Sequence, residues 1–374
     1  MRPTRSVDYR TLAHLRLPPA VSDFIDGGSG DEITLHENTA ALRRLRLRPN
    51  VLSGTGVPDT STTVLGTPLA TPIAVAPVAY HTLAHPDGET ATVRAAGDAG
   101  ALTVISTFSG QSMEEAARAA TGPLWFQLYR FRDRDVTRTL VRRARRAGYA
   151  ALVLTVDTPV LGRRHRDLRN SFALPPDVRP GNFDADHHTG LRHASPGHSA
   201  IARHTTEALE PALGWADVAW LRRITDLPIV LKGVLAPADA RRAASEGIDA
   251  VIVSNHGGRQ LDTTAATIDL LPDVAEAAGG HCEVLFDGGV RDGTDALKAL
   301  ALGARAVMIG RPALWALAAG GGEAVHHLLT LLTEELSDAM ALCGRPTLAD
   351  LDATLLAPAT PVCRHTTTAR REAP

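Results

Sequence analysis

Short apolar runs recur along the chain from about residue 72, and each is followed by a polar or glycine-rich stop and then a helical segment. The pattern contains eight such runs, at residues 73–76, 101–105, 124–126, 151–156, 229–231, 250–253, 283–286 and 306–309. The segments between them, such as 88–100, 135–148, 237–247 and 292–303, are rich in Ala, Arg or Glu and close with a glycine suited to a helix C-cap. Strands and helices are therefore predicted to alternate.

The apolar runs lack polar alternation, which predicts parallel strands that helices cover on both faces. A doubly wound sheet also satisfies this pattern. Two features favour a (β/α)8 (TIM) barrel of the α/β class: the runs number eight, and none opens onto the G-x-G-x-x-G turn of dinucleotide folds.

The remaining segments suggest how the chain is organised around this barrel, which we predict over residues 71–350. Residues 1–70 carry short helical patterns and are expected to form an N-terminal helical cap or plug. Residues 175–211 form a Pro-, Gly- and His-rich insert after the fourth strand, without clear periodicity, and a loop of this length is typically a lid or a mobile segment. Residues 351–374 are expected to form a C-terminal tail.

Composition removes several classes of partner. The 374 residues include 39 Lys and Arg against 41 Asp and Glu, a net charge of −2, which does not favour a nucleic-acid surface. No apolar stretch approaches the ~18 residues of a membrane span, and the three cysteines lack zinc-ligand spacing. The histidines of the insert also lack a metal motif. We expect a soluble cytoplasmic protein with no membrane partner and no metal.

Polar residues stand directly after the predicted strands, where (β/α)8 barrels carry their chemistry. In chain order these are Pro77 with Val78 and Ala79, Ser106, Gln127 with Tyr129, Thr155 with Asp157, Lys232, Asn255 with His256, Asp287 with Gly288 and Gly289, and Gly310 with Arg311.

Several of these residues have more than one chemical interpretation. The glycine-rich turns with Arg291 and Arg311 suit a phosphate, or are simply tight turns. Lys232 could form a Schiff base, pair with a carboxylate or place positive charge beside a cofactor. His256 is a candidate general base, and Arg259 is a candidate for binding a carboxylate. Arg164 could be a second residue that binds the same carboxylate, or part of a solvated basic loop.

Seven ordered motifs between about residues 20 and 350 resemble the FMN-dependent α-hydroxy-acid oxidase and dehydrogenase family, which includes glycolate oxidase, lactate oxidase, mandelate dehydrogenase and the 4-hydroxymandelate oxidases. They are APVAY (76–80), WFQLY (125–129), LTVDTPVLGRR (154–164), LKGV (231–234), SNHGGRQLD (254–262), DGGVR (287–291) and IGRP (309–312). The resemblance implies an FMN-dependent oxidation of a 2-hydroxy acid to a 2-oxo acid.

The resemblance also implies roles for individual residues. His256 would be the catalytic base, and Asp157 would orient it and stabilise its protonated form. Tyr129 would hydrogen-bond the substrate hydroxyl or the developing carbonyl, and Arg164 and Arg259 would bind the carboxylate. For FMN, the implied ligands are the backbone of Pro77, Val78 and Ala79, the side chains of Ser106, Gln127 and Thr155 at the ring edge, Lys232 near N1, and Asp287, Gly289, Arg291, Gly310 and Arg311 at the ribityl and phosphate groups.

Two departures from the glycolate-oxidase pattern bear on the substrate. Phe24 replaces a tyrosine that touches the substrate carboxylate there, and Phe108 replaces a tryptophan. With Tyr80, these residues predict a more apolar pocket, suited to mandelate or 4-hydroxymandelate. An aliphatic acid such as lactate or glycolate is the alternative.

The acceptor is expected to be O2, with H2O2 as product, and a dehydrogenase with another acceptor remains the alternative. By resemblance, a homotetramer is expected. Competing classes are a type 2 isopentenyl-diphosphate isomerase, which should lack paired carboxylate arginines, an IMP-dehydrogenase-like enzyme, which needs a loop cysteine, and a phosphate-binding barrel without chemistry.

Overall fold

The computed structural model describes residues 3–183 and 191–357 as a closed, all-parallel barrel with surrounding helices. The strands are β1 (Arg46–Leu47), β2 (Thr62–Val64), β3 (Thr67–Leu69), β4 (Ile73–Val75), β5 (Thr103–Ile105), β6 (Leu124–Leu128), β7 (Ala151–Thr155), β8 (Ile229–Val234), β9 (Ala250–Val253), β10 (Glu283–Asp287), β11 (Ala306–Ile309) and β12 (Leu356–Ala357). The helices are α1 (Ser6–His14), α2 (Pro19–Asp26), α3 (Ile33–Arg44), α4 (Gly88–Asp98), α5 (Met113–Ala119), α6 (Arg134–Arg146), α7 (His165–Arg169), α8 (Ala200–Ala208), α9 (Trp215–Ile224), α10 (Pro237–Ser245), α11 (Thr267–Ala278), α12 (Gly293–Ala301) and α13 (Arg311–Leu342).

The barrel consists of β4 to β11, each strand paired with the next along the chain, and β11 pairs with β4 to close it. This confirms the predicted (β/α)8 class. Each apolar run in the sequence became one strand, with ends that differ from the prediction by at most three residues. The runs lack polar alternation because the side chains on one face fill the barrel while those on the other pack beneath helices.

The lower, N-terminal end of the barrel is filled by apolar side chains and covered by a hairpin. Trp125, Val153 and Ile252 are fully buried inside the barrel and belong to one cluster with Val64 and Leu69. Val64 and Leu69 come from the antiparallel pair β2 and β3. Within the segment 1–70, expected to be a helical cap or plug, residues 62–69 form a hairpin, with β-branched residues on both sides of a Leu-Gly turn.

Helices α1 to α3 supply the rest of the N-terminal segment. α1 packs against the long α13, which is broken at Gly320 and Gly321. The end of α2 and the start of α3 lie at the opposite end of the barrel from the hairpin, where they meet the turn after β9.

The insert at 175–211 contains more regular structure than its sequence suggests. It includes α8, whose N-cap Ser199 accepts a hydrogen bond from the backbone N–H of Ala202. Residues 184–190 of the insert and 358–374 of the expected tail lie outside the described residues. Within residues 3–183 and 191–357, no helix combines the length and hydropathy needed to cross a membrane.

Candidate active site

A deep cleft opens at the C-terminal ends of the barrel strands and encloses about 1240 Å³ of atom-free space, part of it open to solvent. Nineteen of the twenty predicted site residues line it: Phe24, Pro77, Val78, Ala79, Tyr80, Ser106, Phe108, Gln127, Tyr129, Thr155, Arg164, Lys232, His256, Arg259, Asp287, Gly289, Arg291, Gly310 and Arg311. Asp157 is the one predicted residue outside this lining, and it contacts His256 directly.

A buried amide pair holds the turn that carries His256. The side chains of Asn38, on α3, and Asn255 exchange hydrogen bonds of 2.9 and 2.8 Å. The Asn255 side chain also accepts from the backbone N–H of Gly258 at 3.1 Å. His256 itself has φ 57°, a left-handed conformation that is costly for a residue with a Cβ. The network fixes the imidazole at a defined place in the cleft.

The His256 imidazole pairs with a carboxylate on the side away from the cleft. Its Nδ1 lies 3.0 Å from Oδ1 and 3.2 Å from Oδ2 of Asp157. Burial lowers the pKa of His256, and the Asp157 carboxylate partly opposes this shift. With Nδ1 directed at Asp157, Nε2 is the nitrogen available to a substrate proton.

Lys232 lies in an irregular part of β8 and contacts two other polar groups. Its Nζ donates to Ser254 Oγ at 2.9 Å and lies 3.2 Å from Oδ2 of Asp287. The following residue, Gly233, has φ +107°, and a Cβ there would lie 2.5 Å from the Asp157 side chain. A glycine is therefore required for Asp157 to reach His256.

A second chain of hydrogen bonds links the ends of β5, β6 and β7. The Gln127 amide accepts from Ser106 Oγ at 3.3 Å and donates to Thr155 Oγ1 at 2.9 Å. It also accepts from the backbone N–H of Thr107. The three side chains thus form one polar edge along the wall of the cleft.

Two arginines, Arg164 and Arg259, line the cleft with little compensating charge. Arg164 and Asp167 are 7% and 3% exposed, and their closest atoms are 3.9 Å apart. The Arg164 Nε and Asp167 Oδ2 atoms are buried without hydrogen-bond partners. Arg259 uses Nη1 to donate to the carbonyls of Phe24 and Gly27, which leaves its Nε and Nη2 groups for a ligand. Burial and the nearby Arg164 lower the pKa of Arg259 to about 9, so an anion bound here would be stabilised.

Aromatic side chains cover the opposite wall. Phe24 stacks on Phe172 with ring centroids 4.6 Å apart, and the Arg259 guanidinium lies 5.3 Å from the Phe24 ring centre. Phe108 packs against Tyr129 and Tyr80 at centroid distances of 5.6 and 6.5 Å. Burial raises the pKa of both tyrosines, and for Tyr129 the Asp157 carboxylate adds to the effect. Both therefore remain protonated phenols.

At the far end of the cleft, Arg291 and Arg311 face the start of α13. Arg311 donates to the carbonyls of Ile25, Gly27 and Gly257 at 2.9 to 3.1 Å, and two of its five N–H groups remain. Burial lowers the pKa of both arginines, and repulsion from Arg259 and Arg291 adds to the shift at Arg311. Two partly buried guanidiniums beside a helix N-terminus form a site for a multiply charged anion.

Comparison with known proteins agrees with this geometry. The model of the family described as FMN-dependent dehydrogenase matches residues 13–358. The chain belongs to this family. It is 48% identical over 358 residues to an L-lactate oxidase of Nostoc sp., covering 95% of this chain and 98% of the relative, and 51% identical over 337 residues to a 4-hydroxymandelate oxidase of Amycolatopsis orientalis, covering 90% and 93%. A crystal structure of mandelate oxidase with (S)-4-hydroxymandelic acid superposes with a TM-score of 0.91 at 47% identity, covering 95% of this chain and 98% of the other.

Membership of the FMN-dependent dehydrogenase family confirms the resemblance seen in the sequence, the FMN cofactor and the oxidoreductase class. The protein is an FMN-dependent member of the 2-hydroxy-acid oxidases. The roles of individual residues stay predictions.

The cleft fits FMN at both of its ends. Asp287 Oδ1 is a buried acceptor without a partner, as a ribityl hydroxyl requires. Arg291 and Arg311 have no carboxylate within ion-pair distance among the described residues and suit the phosphate. The Gln127 edge offers both donors and acceptors to the carbonyl and nitrogen atoms of the flavin ring. When bound, FMN supplies a two-electron acceptor.

Several residues of the cleft were not singled out from sequence. Thr158 lies beside Asp157, and Leu161, Ile201 and Thr205 line the cleft. Ser254, inside the SNHGGRQLD motif, holds both Lys232 Nζ and the His256 backbone N–H. Ser254, Thr158 and Leu161 lie inside motifs that carry the family resemblance, which was a usable signal. Nothing in the insert distinguished Ile201 or Thr205 from their neighbours.

Proposed function

We propose that the protein oxidises an aromatic (S)-2-hydroxy acid, mandelate or 4-hydroxymandelate, to the corresponding 2-oxo acid and uses O2 as the electron acceptor. The observation that carries the substrate class is the apolar wall around Phe24. This ring offers no hydroxyl to the cleft, is stacked on Phe172, and faces the same space as Leu161 and Ile201. Burial of a phenyl ring against such a wall is favourable, by about 25 cal/mol per Å² of apolar surface.

The charged residues of the cleft fix one orientation of the substrate. Its carboxylate binds between Arg164 and the free N–H groups of Arg259, the only anion-binding pair on the aromatic side of the cleft within the described ranges. Its hydroxyl then lies between Tyr129 and His256. Burial keeps Tyr129 protonated, so the phenol can donate a hydrogen bond to the substrate oxygen.

His256 acts as the general base through Nε2. Burial lowers the pKa of His256, which keeps the imidazole neutral and ready to accept a proton near neutral pH. Once it is protonated, the Asp157 carboxylate, 3.0 Å from Nδ1, stabilises the imidazolium. Lys232, held by Ser254 and Asp287, adds positive charge on the flavin side of the cleft.

The overall reaction balances with O2 as the second substrate. The hydroxy acid loses two electrons and two protons to become the 2-oxo acid, and O2 takes up the same electrons and protons as H2O2. Support for O2 comes from the relatives, which are named oxidases.

The location and the assembly are also proposals. The sequence led us to expect a cytoplasmic protein, and the family resemblance led us to expect a homotetramer.

An oxidase for a small aliphatic acid is the second candidate, because one of the similar relatives is an L-lactate oxidase. The arginine pair, Tyr129 and His256 contact groups that every 2-hydroxy acid shares, so they do not discriminate. Within the described residues, the apolar wall around Phe24 is the feature that distinguishes aryl from aliphatic 2-hydroxy acids.

An anaerobic titration distinguishes the candidates. The holoenzyme is mixed with 4-hydroxymandelate, mandelate, lactate or glycolate while the flavin absorbance band is followed, and air is then admitted. We expect rapid bleaching by the aryl acids, recovery in air and one equivalent of H2O2 per turnover. Faster bleaching by lactate or glycolate would overturn the substrate class, and bleaching without recovery in air would overturn O2 as acceptor.

A further inference from the structure

We infer that Asp26 is a positioning residue for the FMN phosphate, although it does not reach the cleft. Asp26 is the last residue of α2 and is 5% exposed. It does not line the cleft and belongs to none of the motifs that mark the site in the sequence. The inference rests on the assignment of Arg291 and Arg311 to the phosphate.

The Asp26 carboxylate holds three side chains at once. Oδ2 accepts from Arg10 Nε at 2.8 Å and lies 2.7 Å from His14 Nε2, both on α1. Oδ1 accepts from the indole N–H of Trp315 at 2.7 Å. These contacts lower the pKa of Asp26 against the effect of burial, so the group is an anion. A buried carboxylate with three donors has a fixed position.

Trp315 transmits this position to one phosphate arginine. Its ring, on the first turns of α13, is only 3% exposed. The Arg291 guanidinium lies over one side of it, 5.2 Å from the ring centre, and Arg10 lies 5.7 Å from it. Stacking on a fixed indole restricts the guanidinium to one plane, which directs its N–H groups toward the cleft. An asparagine at position 26 has a single acceptor oxygen, so its NH2 group would face either the indole N–H or the Arg10 Nε–H, and the ring would lose its fixed orientation.

The same helix end holds the second phosphate arginine. The last carbonyls of a helix lack intrahelical partners and carry partial negative charge. At the end of α2, Arg311 Nε donates to the Ile25 carbonyl at 3.1 Å, and its Nη2 donates to the Gly27 carbonyl at 2.9 Å. Asp26 lies between these two residues, and its charge partly offsets the repulsion that Arg311 experiences from Arg259 and Arg291. Asp26 therefore positions both arginines, one through Trp315 and the other through the end of α2.

The phosphate provides a selective test, because riboflavin shares every part of FMN except that group. Purified holoenzyme is freed of flavin and titrated with FMN or riboflavin, and binding is followed by flavin fluorescence. We expect Asp26→Asn to raise the Kd for FMN about tenfold and to leave the Kd for riboflavin within about twofold of the wild-type value. A merely structural role would weaken both flavins alike, and that result would overturn the proposal.

Asp23→Asn is the matched control on the same helix. Asp23 faces the other way, toward Arg166 and Asn170, at 3.3 and 2.8 Å. We expect its replacement to leave the ratio of the two Kd values unchanged. Should Asp26→Asn fail to fold, Trp315→Phe removes the indole N–H while keeping a ring beneath Arg291, and a smaller loss confined to FMN is expected.

Arg291→Leu separates the two levels of the inference. If this variant loses preference for FMN over riboflavin and Asp26→Asn does not, the role of Asp26 is wrong while the phosphate assignment stands. If Arg291→Leu leaves the preference unchanged, the phosphate assignment itself fails, and the role of Asp26 fails with it. Loss of the preference in both variants, with Asp23→Asn unaffected, is the result we expect.

Discussion

The Nδ1 atom of His256 lies 3.0 Å from the Oδ1 atom of Asp157, although the two residues are 99 positions apart in the sequence. His256 follows β9, and Asp157 follows β7. The pair has opposing effects on the imidazole. Burial lowers the pKa of His256, and the carboxylate raises it. Asp157 therefore makes the imidazolium form easier to reach, which is what a proton-accepting base requires during turnover.

Replacing Asp157 with asparagine should slow the reaction and shift its pH dependence. Activity requires neutral His256, so it falls as the pH drops through the pKa of this residue, and burial places that midpoint below the ordinary value of 6.5. Without the carboxylate the pKa falls further, so the acid limb of kcat/KM should move to lower pH. We expect kcat to fall by about a hundredfold, because the protonated base loses its counter-charge.

Steady-state rates between pH 4 and 9 with one aryl acid test this prediction, provided that flavin content matches the wild type. Thr158→Val is a useful comparison, because it keeps the Asp157 charge while removing a hydroxyl that donates to Asp157 at 2.9 Å and also contacts Tyr129. A limb that moves to higher pH in Asp157→Asn would contradict the assigned direction of the charge effect.

A substitution of Phe24 tests whether the apolar wall selects the substrate. Phe24→Tyr should lower the preference for mandelate over glycolate by about tenfold, because a phenol hydroxyl in the cleft adds a polar contact for small acids and must be desolvated against an aryl ring. The ratio of the two kcat/KM values is the measurement. Equal loss with both substrates would mean that Phe24 shapes the cleft without selecting the substrate.

Much of this site could be predicted from the sequence because the barrel brings distant strand ends to one face. Each strand appears as a contiguous apolar run, so the residue after each run is easily located, and closure of the barrel then brings those residues together. Lys232, His256 and Asp287 were found in this way. Arg164 and Phe24 lie outside strand ends. The residues alone left Arg164 between a carboxylate ligand and a solvated basic loop, and the family resemblance gave both residues their implied roles.

The remaining features depend on tertiary contacts that carry no local signal. Helix α8 lies in a Pro-, Gly- and His-rich insert, yet it brings Ile201 and Thr205 into the cleft. The hairpin β2–β3 is short, and the sequence does not show that it covers the N-terminal end of the barrel. That position depends on the contacts of Val64 and Leu69 with the side chains inside the barrel. The link from Asp26 to Trp315 joins residues 289 positions apart, which no periodicity reveals.

If Arg164 and Arg259 bind the substrate carboxylate, replacing Arg164 should weaken the binding of anions more than that of neutral ligands. Arg164→Met should raise KM for 2-hydroxy acids by about a hundredfold, because the substrate carboxylate loses one of two buried cationic partners. Inhibition constants of the anion benzoylformate and the neutral mandelamide, compared in wild type and variant, report the charge effect directly. We expect the loss to be at least tenfold larger for the anion.

Arg166→Met is the control for this experiment. Arg166 is two residues further along, pairs with Glu32 and Asp23, and does not line the cleft. Its KM should remain near the wild-type value. Equal losses for benzoylformate and mandelamide in Arg164→Met would show that Arg164 shapes the cleft and does not bind the carboxylate.

Helix α8 offers a test of which aryl acid is preferred. Thr205 lines the cleft one turn after Ile201 and is 6% exposed, and among the described residues its hydroxyl takes part in no hydrogen bond. The adjacent His204 ring packs edge-on against Phe108, which places this helix over the aromatic wall. A polar substituent at the far end of a substrate ring would therefore meet the Thr205 hydroxyl.

Thr205→Val should accordingly lower kcat/KM for 4-hydroxymandelate roughly tenfold and leave that for mandelate nearly unchanged, because only the first substrate loses a hydrogen bond. Thr205→Ser keeps the hydroxyl and should behave like the wild type toward both acids. Tyr80 also lines the cleft, so Tyr80→Phe is measured in parallel. If Tyr80→Phe produces the selective loss and Thr205→Val does not, the ring hydroxyl is bound on the flavin side of the cleft and α8 serves only as an apolar cover.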